Sequence, residues 1–175
     1  MGDLLYEFTE WLRGTSLVDT ALAMSDWNLS LWMATNFWAI PIVQVIHILA
    51  IASAFGAILM LNLRLFGLAG RGLTIAQTSA RFVPWIWGAL VVLILSGLLM
   101  IVGEPVRELI NPIFWIKMIL VVVAILFSLW FHNKSMKRLS SAREVSGGIK
   151  AGAIFVIVLW CVIILCGRWI AYAPV

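Results

Sequence analysis

Two histidines, a lysine and an arginine stand where long apolar runs ought to exclude them. His47 lies about seven residues into the run 40–61, or ~10 Å from its start at 1.5 Å per residue, with Gln44 one turn earlier on the same face. Lys117 lies about four residues into the run 113–131, at ~6 Å by the same rise, so these three groups share a depth on different helices. Arg168 closes the run 151–169, with Tyr172 one turn beyond. An ionisable group inside such a run is costly, and each one marks a candidate site. A neutral imidazole at position 47 suits a metal or cofactor, and it equally suits a hydrogen bond between two helices. Lys117 can serve an anion or a carbonyl, or snorkel to the surface; Arg168 can serve the same site or anchor the helix at the interface.

A second polar group forms at the other end of the same runs: Asn62 and Arg64, Arg81, and His132 beside Asn133 and Lys134. Its position suggests a solvated interfacial histidine. Counting helix rise puts His132 ~15 Å from the level of His47, too far for both rings to hold one haem iron. Cys161 and Cys166 are five apart, about 140° around a helix, so they cannot bridge each other and are expected as buried packing thiols. The seven methionines form no Met–His arrangement of the kind a copper relay needs.

The elements that position these residues are transmembrane helices. The chain has 175 residues, 63% of them hydrophobic and 11% charged, with a mean hydropathy of +1.07. Soluble domains carry roughly a quarter charged residues, so a soluble fold is excluded. Four runs reach the ~20 apolar residues that a span needs: 40–61, 82–102, 113–131 and 151–169. The expected fold is all-α, an integral membrane four-helix bundle over 37–175. Residues 1–36 precede it as short helices lying in the interface on the periplasmic side. Leu4, Leu5, Phe8, Trp11 and Leu12 give the first of these an apolar face, opposite Asp3, Glu7 and Glu10. Ser25 or Asp26 is expected to cap a second, carrying Trp27 and Trp32. Pro41 and Pro84 are expected near the starts of spans one and two.

Basic residues give the orientation. Arg64, Arg71, Arg81, Lys134, Lys137, Arg138, Arg143 and Lys150 flank the two loops on one side, leaving Arg13, Arg107, Lys117 and Arg168 for the other. The positive-inside rule then places both loops in the cytoplasm and both termini outside, as for a bacterial inner-membrane protein. No cleavable signal peptide is expected, the first span itself directing insertion. Most of the ten tryptophans fall at the predicted interfaces; Trp160, in mid-span, is expected to pack or to line a pocket. Ala50, Ala52, Ser53, Ala54, Gly56 and Ala57 give span one a small-residue surface for a helix or a flat ligand. That surface, with Gly148 and Gly152 on span four, predicts a homo-oligomer.

The order of several short motifs carries a resemblance: EFTEWL, Ser25-Asp26-Trp27, IHILAIASAFG around His47, NLRLFG at 62–67, PW at 84–85, Ser96-Gly97, NPIFWIK ending at Lys117, FH at 131–132, LW at 159–160 and GRWIAY at 167–172. The chain thereby resembles a family of small bacterial four-helix inner-membrane proteins of unknown function, over nearly its whole length. It departs from that pattern at Gln44, where an acid is usual, and at Asn62, where Asp is usual. More distantly, His47, Trp115 and Lys117 look like the haem-binding residues of the bacterial four-helix protoporphyrinogen oxidase. The membrane part of the CopD copper-resistance family is a further distant likeness. The likeness to the oxidase implies a haem b-binding redox protein with His47 as an axial iron ligand and Lys117 and Trp115 around the cofactor. Gln44 and Arg168, placed near the same end by their positions in the spans, complete the expected site. A quinone or a periplasmic protein would be its redox partner. A porphyrinogen or quinol oxidoreductase using the same residues, and a non-enzymatic transport or accessory subunit, are the competing expectations.

Overall fold

The computed structural model describes residues 2–70, 72–141 and 146–172. The basic residues Arg71 and Arg143, the side chains of Lys137 and Arg138, and Val175 lie outside what it describes. Three short helices come first: α1 (Gly2–Arg13), α2 (Leu17–Ser25) and α3 (Asn28–Thr35). The long helices are α4 (Ala39–Leu65), α5 (Ile75–Gly103), α7 (Pro112–Ser141) and α8 (Gly147–Trp169). The five-residue α6 (Pro105–Leu109) joins α5 to α7, and a 3-10 turn (Ile170–Tyr172) follows α8. All four long helices are long and apolar enough to cross a membrane, and many of their large apolar side chains are exposed. Outward-facing leucines and valines in such numbers imply contact with lipid. This is an all-α, multi-pass membrane protein.

The helices exceed the predicted runs mainly at the ends that meet the α4–α5 and α7–α8 loops, where polar residues extend them, while their other ends fall within one residue of the runs. Helix α5 starts at Ile75, seven residues before the predicted start, under a capping box. Thr74 Oγ1 accepts the Gln77 N–H at 3.2 Å, and the Gln77 side chain accepts the Thr74 N–H at 2.8 Å. Pro84 therefore sits inside the helix rather than near its start, removing one i→i−4 donor there. Helix α7 begins at Pro112 behind Asn111, which is fully buried. Its Oδ1 accepts the Ile113 N–H at 3.0 Å and its Nδ2 donates to the Ile170 carbonyl at 3.2 Å, tying the start of α7 to the end of α8.

The N-terminal segment contains the predicted amphipathic first helix and adds a helix that the sequence did not indicate. Helix α1 buries Leu12 and Thr9, one turn apart and in line with half-buried Leu5, while Leu4 and Trp11 of the predicted apolar face stay exposed. Thr9 is tolerated there because its hydroxyl donates back to the Leu5 carbonyl at 2.9 Å. Helix α2 has no counterpart in the sequence reading. Ser25 ends it instead of capping α3, donating to the Ala21 carbonyl, and Trp27 takes the N-cap of α3 without a side-chain cap bond. These helices dock on the bundle, α1 against α7, α2 against α6 and α3 against α5. They close one end of it, the capped end; the opposite end carries the two loops and is called the loop end below.

Within the bundle α4 packs along α5 and α7 along α8, with α4 against α8 joining the two pairs. The predicted small-residue surface serves the first pairing, with Ala50, Ala54 and Ala57 buried at i, i+4 and i+7. Helices α5 and α7 are not a closely packed pair, and the space left between them matters below. Cys161 is exposed and Cys166 half-buried, so only Cys166 packs as predicted, beside Phe114 and Ile170. An outward position on α8 suits Cys161 because lipid is as good a solvent for a thiol as the core is.

Candidate functional site

His47 projects from α4 toward α5, where its Nδ1 lies 2.8 Å from Ser96 Oγ. Ser96 is buried and its hydroxyl donates to the Val92 carbonyl at 2.6 Å. A hydroxyl has one proton. With that proton on the carbonyl, Ser96 must accept from His47, so Nδ1 carries the hydrogen and Nε2 carries the lone pair. Gly97 lies under the ring: a β-carbon there would meet His47 Cε1 at 3.7 Å. Immediately toward the loop end, the same helix pair bounds an open groove of ≈ 570 Å³. Ala50, Ser53, Gly88 and Ala89 keep its floor low. His47 is not among the residues lining it; Ile46 and Val92, its neighbours on the two helices, are.

Lys117 enters from α7 as an electrostatic neighbour of both His47 and Glu108. Its stem runs past Gly167 of α8, where a β-carbon would lie 3.8 Å from Lys117 Cδ, and its ammonium is 5.9 Å from the Phe114 ring. Glu108 on α6 is buried, and burial pushes its carboxyl above the ordinary value of 4.5, against the opposing pull of Lys117 and Arg107 and with a smaller push from Glu104. Its folded form thus holds the proton more tightly than the unfolded chain does. Stability should fall as pH rises from about 4.5 through the raised value and level off above it. Glu108→Gln should remove that slope in thermal midpoints of the detergent-solubilised protein. Matching slopes in the two proteins would rule the assignment out.

The other predicted members of this site are less central. Gln44 is half-buried one turn before His47, but the ring's hydrogen bond goes to Ser96. Trp115 donates through Nε1 to the Leu109 carbonyl at 2.9 Å, which pins the end of α6 to α7. Arg168 is exposed and donates to Tyr172 Oη at 2.7 Å, at the capped end of α8.

The second cluster divides. Arg64 donates to the Leu73 carbonyl at 2.8 Å and holds the α4–α5 loop, and Arg81 is exposed. Asn62 is buried, donating to the Ile58 carbonyl at 2.8 Å, and His132 is half-buried with Nε2 3.2 Å from Ser79 Oγ of α5. Both line a cavity of ≈ 120 Å³. His132 is therefore drawn into the bundle, unlike the solvated residue that its sequence neighbours suggest. The two histidine partners, Ser96 and Ser79, are seventeen residues apart on one helix, or ~25 Å. That exceeds the ~15 Å from the sequence, because α4 and α7 do not begin at one depth and α5 is a common ruler for both. Among the described residues no three His, Cys, Asp or Glu side chains converge to hold a metal ion.

Ser96, Ser79 and Glu108 escaped the sequence reading as site residues. The Ser96-Gly97 pair was visible, but only packing shows that it faces His47. Glu108 lies in a charged connection that reads as solvated until α2 folds over α6.

Fold and site together define a four-span helical membrane protein with a histidine–serine pair between its first two spans and a lysine–glutamate neighbourhood beside it. The chain belongs to DUF6644, a family of unknown function, whose model matches residues 34–173 and so takes in all four spans. No curated protein and no solved structure matches it.

Proposed function

We propose that this protein is a haem b-binding redox protein of the bacterial inner membrane, with His47 as an axial ligand. The observation that carries the reading is the chain His47–Ser96–Val92. It fixes the imidazole as the Nδ1–H tautomer and leaves the Nε2 lone pair for iron. Ligating histidines are held in this way, by a hydrogen bond from the other nitrogen. One histidine suffices for a metal that brings four ring nitrogens of its own, so the lack of a protein-built metal cluster among the described residues fits this donor set. The low-floored groove beside the pair offers a flat apolar surface for a macrocycle, and Lys117 a cation for a carboxylate substituent. Haem would supply one-electron chemistry; the chain's part is to hold the imidazole, shield it from water and set the charge around it. A quinone, a periplasmic redox protein and a second copy of this chain are the partners this reading expects.

The test is the visible spectrum of the purified protein, oxidised and then reduced with dithionite. A Soret band that shifts on reduction is the expected result; a colourless preparation from haem-replete cells rejects the reading.

The distribution of basic residues supports an orientation with the loop end in the cytoplasm. With Cys161 and Cys166 replaced, a single cysteine at position 175 should react with an impermeant maleimide added from the periplasm. One at position 143 should react only after lysis. The reverse pattern would falsify this orientation.

A further inference from the structure

The cavity between α5 and α7 at the loop end holds three buried side-chain polar atoms without a hydrogen-bond partner: Ser128 Oγ, Ser135 Oγ and Trp160 Nε1. Ser135 and Trp160 are 3% and 5% exposed, so water outside the bundle does not satisfy them. Unpaired buried donors are uncommon, and each costs on the order of 1–3 kcal/mol unless something occupies the space beside it. Ser128, His132 and Ser135 fall at i, i+4 and i+7 on α7, so one face of that helix presents a polar stripe to the cavity over ~10 Å. Trp160 faces it from α8 and Ser79 from α5.

The chemistry of the lining defines the occupant. An indole N–H can only donate, so the occupant must accept a hydrogen bond. Among the described residues neither a carboxylate nor a lysine or arginine lines the cavity, and the His132 ring there is already bonded to Ser79, so a charged ligand would be buried without a permanent counter-charge. Apart from Asn62, whose side-chain amide donates to the Ile58 carbonyl, the rest of the lining is aliphatic or aromatic, including Ile58, Ile86, Phe131 and Val156. At ≈ 120 Å³ the space is close to the roughly 150 Å³ apolar cavity that admits a benzene ring, and far short of a porphyrin. We infer that this cavity binds the ring of a neutral, carbonyl-bearing lipid of the quinone class, its carbonyl oxygens accepting from Trp160 and the α7 serines. This site is separate from His47 and does not rest on the haem reading.

The experiment titrates the full chain in mild detergent with a benzoquinone bearing a decyl tail, using decylbenzene as the control with ring and tail but no carbonyl. Saturable binding of one quinone per chain is expected, with decylbenzene at least tenfold weaker, whether or not the preparation carries haem. An azido derivative should label the unmodified protein within residues 128–135 or at Trp160, a result that depends on no variant folding. Trp160→Phe, and Ser128→Ala combined with Ser135→Ala, should each weaken binding about tenfold, the worth of a hydrogen bond in a dry site. The inference is overturned by unsaturable binding, by equal affinity for decylbenzene, or by label confined to the α4–α5 groove. Full affinity in the double serine variant, or a cavity that holds water alone, overturns it too.

Discussion

A His47→Ala protein is expected to insert and accumulate normally but to purify with little or none of the haem that the proposed function assigns to the unaltered protein. The substitution leaves the helix intact, because Ala is the best helix former and position 47 is only half-buried. What it removes is the one imidazole whose Nε2 is left free by an internal hydrogen bond. Ser96→Ala tests the support rather than the ligand. It keeps the imidazole but frees its orientation and tautomer, and loss of such a partner typically weakens metal binding 10–100-fold. The expected result is retained but weaker haem with a shifted spectrum or potential, which a purely structural role for Ser96 would not produce. Gln44→Leu should have a smaller effect, since the ring does not depend on Gln44 for its hydrogen bond. Lys117→Met should weaken haem retention if the ammonium pairs with a carboxylate of the cofactor, and alter the ligand field if it is the second axial group. His132→Ala should leave the spectrum unchanged, the two histidines being separated by ~25 Å along α5. Loss of haem from His132→Ala alone would move the site to the loop end.

The four spans were legible because nothing but a bilayer rewards runs of this length and polarity. Several of their ends fell within a residue of the apolar runs, but the start of α5 and the far end of α7 did not. Thr74 with Gln77 caps α5 seven residues early, and α7 continues past His132, Asn133 and Lys134 to Ser141 through residues that hydropathy counts as loop. His47, Lys117 and His132 announced themselves by being ionisable in apolar surroundings. The partners that give them chemical meaning did not. Serine is unremarked in a span, since its hydroxyl can always return to the carbonyl one turn back; Ser96 does so and serves His47 as well. Ser128 and Ser135 are the reverse case, serines that decline that local bond, and no sequence pattern separates the two kinds. Glu108 was hidden for a different reason. Its burial depends on α2, a nine-residue helix too short and too weakly patterned to read before the bundle gives it a surface.

Gly152→Val is expected to lower the stability of the bundle by about 1–3 kcal/mol, the usual cost of forcing volume into a packed seam. The Phe131 ring of α7 lies against the α8 backbone at Gly152, and occupies the space that any β-carbon there would need. Phe131 cannot simply swing aside. It stacks on Phe127 with ring centroids 6.1 Å apart, and it packs against both Leu65, Ile149 and Ala153 at the loop end and Ile58, Ala124 and Val156 toward the middle. A β-carbon at 152 therefore pushes either the ring into the cavity it lines or α8 away from α7. Gly152→Ala should cost less but in the same direction, although alanine favours a helix over glycine by about 1 kcal/mol. Gly148, one turn earlier, provides the control, because a β-carbon there would meet nothing within 4 Å. Gly148→Ala should then be neutral or slightly stabilising, since only helix propensity changes. The measurement is the denaturation midpoint of each protein in the same detergent. Equal midpoints for the Gly152→Val and Gly148→Ala proteins would mean that the α7–α8 seam does not hold the bundle together at Phe131.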